Sequence, residues 1–127
     1  MFQTVIIASG SKGNCVLIQT EKTALLLDAG ISMHRIMECL ASLQIEPEKI
    51  EGILVSHEHS DHIKSVGAIS RKLNIPIYIN RPTLFSCAER LGNVQDRIVL
   101  FHTGSSFTIK DIVIEPFSSI HDAAESC

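Results

Sequence analysis

The chain has 127 residues, 45% of them hydrophobic, with a mean hydropathy of +0.22 and a net charge of −3. That length holds one domain with a real core. The charge, with no basic tail, gives no bulk support for nucleic-acid binding and leaves room only for a local patch. No apolar run approaches the roughly 20 residues that span a bilayer. Met1-Phe2-Gln3 enters a short apolar run without the basic flank of a secretory signal. The four cysteines, Cys15, Cys39, Cys87 and Cys127, are scattered without a CxxC pair, which fits reduced thiols. A cytoplasmic protein with no membrane partner is expected. Its hydropathy calls for a sheet buried on both faces or for apolar surface awaiting a partner.

Residues 3–8 read as a strand through Val5, Ile6 and Ile7. Ser9-Gly10-Ser11-Lys12-Gly13-Asn14 then breaks it. Glycine turns can cradle phosphate, but a plain hairpin connection is the commoner use of such a cluster. Residues 15–18 and 23–27 are the next strands, an antiparallel meander joined by short turns. The third strand ends on Asp28-Ala29-Gly30. An acid ending an apolar strand is a turn former or a buried support, because a buried carboxylate needs hydrogen bonds.

Ser32 is placed to cap a helix to about residue 43, with Met33, Ile36, Met37, Leu40 and Leu43 on one face. His34 lies off that stripe and is expected at the surface. Ile53-Leu54-Val55 is a buried strand, and Ile63, Val66, Ile69 and Leu73 mark a helix face beginning at Ile63. Gly67 in that helix permits close packing. Residues 76–79 read as a strand and 82–91 as a helix; residues 97–101, 106–110 and 112–117 read as strands. Strands and helices alternating over 50–91 predict an α/β domain.

Between Val55 and Ile63 lies Ser56-His57-Glu58-His59-Ser60-Asp61-His62. His57 and His59 are two apart and project to one side of extended chain. Asp61 and His62 follow where the chain turns, and can point past a first ion toward a second. Imidazole suits zinc, iron and similar ions. A catalytic zinc takes three protein ligands and one open position, so another histidine is needed. His121, at the end of a predicted strand, is the natural candidate, and His102 near Gly104 is its competitor. Ser119 and Asp122 have weaker claims.

His57-Glu58-His59-Ser60-Asp61-His62 matches the HxHxDH signature of the metallo-β-lactamase fold superfamily. Leu25-Leu26-Leu27-Asp28-Ala29-Gly30 resembles the acid-ended strand of that family. Residues 8–14 and 119–125 look like its WalJ/YycJ-like branch of bacterial hydrolases, akin to exonucleases and phosphodiesterases. The resemblance implies His57, His59 and His121 on a first divalent ion, and Asp61 and His62 on a second, zinc or manganese. Asp61 would also serve as the catalytic carboxylate, and Asp28 would support the loop by hydrogen bonds. Water activated by the ions would be the nucleophile, and nucleic acid or another phosphodiester the substrate. Thioester and lactam hydrolysis are the alternatives within the family.

The resemblance also implies a fold class. Residues 1–127 would be the N-terminal half of a four-layer αββα fold, a mixed, largely antiparallel sheet with helices on one face. The family's bridging Asp and last His would lie beyond this chain. The alternative to an active hydrolase is that the chain as written is an inactive, truncated metal-binding half-domain. A homo-oligomer in which a second copy covers the apolar face is a further expectation.

Overall fold

The computed structural model describes residues 2–118; Ser119, His121, Asp122 and Cys127 lie outside them. Strands β1 (Gln3–Ala8), β2 (Cys15–Gln19) and β3 (Ala24–Leu27) form the expected antiparallel meander. The chain then passes through α1 (Met33–Ser42) to β4 (Ile50–Leu54), and through α2 (Ser60–Ile63) and α3 (Val66–Leu73) to β5 (Ile77–Asn80). Helix α4 (Arg81–Leu91) leads on to β6 (Ile98–Phe101). The six strands lie side by side in chain order. From β3 to β6 every pairing is parallel. The sheet is mixed, as expected, with a larger parallel share than "largely antiparallel" describes. The reason is the connections: each crossover helix returns the chain to the end where its last strand began. A hairpin of β7 (Phe107–Ile109) and β8 (Ile112–Ile114) forms a second small sheet.

Side chains alternate along the central strands. Leu26, Ile53, Ile77 and Ile79 pack with Ile36, Leu40, Val66, Ile69 and Leu91 of the helices. Leu25 and Leu54 point the other way and meet Ile109 and Ile112 of the hairpin. Phe107 stacks between Tyr78 and Phe101, with ring centroids 5.8 and 5.4 Å away. The centre of the sheet is therefore buried on both faces. Val113 and Phe117 beside it stay 62% and 73% exposed, so apolar surface is left over as well. Cys15, Cys39 and Cys87 are free thiols; burial, with the charges of Asp28 and Cys39 adding to it, pushes Cys15 up to about 12.

Local signals place the helices. The Ser32 side chain accepts from the Arg35 N–H, and Asn80 accepts from the Thr83 N–H at the start of α4. One expectation fails: no single helix begins at Ile63. Helix α2 starts at Ser60, so Asp61 and His62 sit in a helical turn, and the helix breaks at Ser65. There the Ser65 N–H donates to the Ala29 carbonyl at 2.8 Å, and its hydroxyl donates to the Ile31 carbonyl. Tying α2 to the turn after β3 outweighs continuing the helix.

Gly67 does permit close packing: a Cβ there would lie 1.9 Å from the Leu91 carbonyl oxygen. Gly67→Ala sets a helix-propensity gain of about 1 kcal/mol against an overpacking cost of about 3 kcal/mol. Denaturant titration should show net destabilisation by about 2 kcal/mol, and a variant as stable as wild type would refute this α3–α4 contact.

Candidate metal centre

Strands β1, β3, β4, β5 and β6 share one direction and β2 opposes them. The turns after β1, β3 and β4 therefore emerge at one end of the sheet. In open α/β sheets that carboxyl end is where ligands bind. Asp28, His57, His59, Asp61 and His62 lie there.

Asp28 follows β3 with φ +61°, a left-handed conformation that aspartate tolerates. Its N–H donates to the Leu54 carbonyl at 2.7 Å, which fastens the turn to β4. Its side chain is buried beneath residues 56–62. One carboxylate oxygen accepts from the Ser56 N–H at 2.8 Å. The other lies 2.6 Å from Ser56 Oγ and 2.7 Å from His62 Nδ1. Three donors meet the cost of burying that charge.

The ligand-type side chains converge above it. The His57 and His62 rings lie 3.7 Å apart between centroids, and His57 and His59 meet edge to face at 5.0 Å. His62 Nε2 is 3.6 Å from the Asp61 carboxylate. Burial pushes the His62 pKa down, but the hydrogen bond to Asp28 and the charges of Asp28 and Asp61 outweigh it. The net result lies above the ordinary 6.5.

The glycine loop after β1 completes the arrangement. The Asn14 N–H donates to the Asp61 carbonyl at 2.7 Å, and its Nδ2 lies 3.1 Å from the Asp61 carboxylate and 3.2 Å from His62 Nε2. The Gly10 N–H donates to Asn14 Oδ1, and the Gly13 N–H to the Gly10 carbonyl. With these amides already engaged, the loop is a hairpin connection that braces the Asp61 turn. Gly30 lets that turn approach: a Cβ there would stand 1.8 Å from the Asp61 carbonyl oxygen. A cavity of about 470 Å³ opens beside the cluster, lined by Asp28, Ser56, His57, His62, Phe101 and Phe117 among others.

The sequence profile of the metallo-beta-lactamase superfamily matches residues 8–121. The chain belongs to that superfamily. It is 41% identical over 125 residues to the exodeoxyribonuclease WalJ of Streptococcus pneumoniae (strain D39), covering 96% of this chain and 46% of that protein. It is 39% identical over 121 residues to the exodeoxyribonuclease YycJ of Bacillus anthracis, covering 94% and 46%. It thus spans about half the length of these curated relatives. Among solved structures, Rm3 metallo-beta-lactamase superposes with a TM-score of 0.80 at 19% identity, over 97% of this chain and 51% of that one. At that identity the likeness is one of fold, and it agrees with the expected half of the family architecture.

Membership in a metallo-β-lactamase superfamily implies divalent metal ions. The donors fit in type: imidazoles and carboxylates, with Asp28 holding Nδ1 of His62 so that Nε2 faces Asp61. Among the described residues, no trio of His, Cys, Asp or Glu stands in a metal-holding arrangement. His121, the expected third ligand of the first ion, lies outside them. Its competitor His102 is exposed after β6, where it lines a separate groove with Tyr78, Ser105 and Phe107. His34 is 83% exposed beside Glu38. Asn14 and Ser56 had no site role in the sequence reading. Asn14 sits 47 residues from Asp61, and only the adjacency of Ser56 to His57 was there to be noticed.

Asp28→Asn should lower the His62 pKa and destabilise the metal-free protein by about 2 kcal/mol through weakened buried hydrogen bonds. A raised histidine pKa stabilises fully below the unfolded value of 6.5 and fades as pH rises through the folded value. The gap between wild type and variant should therefore narrow on going alkaline. NMR titration of His62 together with melts at several pH values checks both; an unchanged His62 pKa in the variant would refute the pairing.

Proposed function

We propose that this chain forms the N-terminal part of a cytoplasmic, divalent-metal-dependent hydrolase that cleaves phosphodiester bonds in nucleic acid. The observation that carries this reading is 39–41% identity to two exodeoxyribonucleases along nearly the whole chain. The geometry supports it by bringing His57, His59, Asp61 and His62 together at the carboxyl end of the sheet. No helix among the described residues is long and apolar enough to cross a membrane.

We assign His57, His59 and His121 to one ion, and Asp61 and His62 to a second, zinc or manganese. Bound there, such ions supply an activated water and offset charge developing on the phosphoryl group. The chain's own residues hold the frame for that chemistry. Asp28 fixes His62 and the Ser56 amide. Asn14 donates to the Asp61 carboxylate and steadies its orientation. Turnover is assigned to the whole protein, and metal binding to this half, because Asp61 and His62 alone are too few for a second site. The likeness to a lactamase lies in the fold and carries no substrate.

The test uses the full-length protein with Mn²⁺ or Zn²⁺ against labelled DNA, RNA and a chromogenic phosphodiester. Cleavage should require metal, vanish with a chelator, and fall by about 100-fold or more in His59→Ala or Asp61→Ala. No metal-dependent cleavage of any of the three substrates would sink the reading.

A further inference from the structure

Ser56 lies at the centre of the network under the histidines, and its hydroxyl touches more than the Asp28 carboxylate. Its Oγ is 2.6 Å from the Asp28 carboxylate and 3.0 Å from His57 Nδ1. We infer that Ser56 is a positioning residue: its hydroxyl links Asp28 to His57 and fixes His57 as the Nδ1–H tautomer, with Nε2 turned to a metal.

The argument follows the direction of each hydrogen bond. A carboxylate only accepts, so the single Ser56 O–H proton goes to Asp28. The hydroxyl oxygen then offers only lone pairs to His57, so Nδ1 must carry the proton. A neutral imidazole protonated at Nδ1 keeps its lone pair on Nε2. His62 reaches the same state directly, since its Nδ1 contacts the same Asp28 oxygen at 2.7 Å. One buried carboxylate thus sets two histidines: His62 by contact, and His57 through a hydroxyl. The backbone fixes the geometry, because the Ser56 N–H is held by the other Asp28 oxygen at 2.8 Å. Ser56 Oγ also lies 3.4 Å from His62 Nδ1, which packs the three groups into one triangle over Asp28.

Alanine at this position would keep the backbone bond and remove the link. Threonine would keep the hydroxyl and add one methyl group. The inference rests on the metal-dependent reading for its purpose only, since the tautomer exists without metal or substrate.

The test is a long-range ¹H–¹⁵N spectrum of the metal-free, ¹⁵N-labelled full-length protein, recorded where His57 is neutral. Wild type and Ser56→Thr should show His57 as Nδ1–H, and Ser56→Ala should gain the Nε2–H form. Co²⁺ titration, followed by its visible absorption, should show affinity falling about 10- to 100-fold in Ser56→Ala, with Ser56→Thr restoring it. An Nε2–H tautomer in wild type overturns the inference without any variant being needed. So does an unchanged tautomer in a folded Ser56→Ala. A protein that shows Nδ1–H but cleaves no phosphodiester refutes the proposed function and leaves Ser56 in its role.

Discussion

The carboxylate of Asp28 is the constraint around which this end of the molecule is built. It is a buried charge on an apolar strand, stable only while donors surround it. Those donors come from Ser56 and His62, 28 and 34 residues further along the chain. The left-handed turn at Asp28 aims the side chain at them, and the bond from its N–H to Leu54 holds the turn. The same contacts that stabilise the charge orient the imidazoles. Structure and candidate chemistry therefore depend on one group.

Strand direction makes that meeting possible. With β2 alone reversed, the ends of β1, β3 and β4 lie at one edge, and their turns can touch. Gly30 removes the side chain that would hold the Asp61 turn away, and Asn14 crosses from the first turn to brace the third. Helix α2 is short for the same reason. Its continuation is given up at Ser65 so that Ala29 and Ile31 gain donors. Rigidity near the histidine cluster thus comes from bonds between turns, while the sheet and helices supply the platform.

Much of this was legible in order along the chain. The apolar runs of β3 and β4, the cap Ser32 and the glycine in α3 act over a few residues, and each appears where local chemistry puts it. The cluster from His57 to His62 is legible for the same reason: four ligand types within six residues need no folding to be neighbours. The expected helix from Ile63 is where local pattern misleads. Its apolar face is real, but a hydrogen bond to residues more than 30 positions away breaks the backbone.

By itself, then, the sequence determined the α/β character, the position of the histidine-rich turn and the family it belongs to, because those depend on periodicity and on residues adjacent in the chain. Only the tertiary structure decided which donors the Asp28 carboxylate takes from the loop, that the glycine loop braces Asp61, and that Ser56 lies between Asp28 and His57. Those facts depend on which turns share an edge and which way each donor points. Strand order and backbone direction set both, and neither is written in any short stretch of residues.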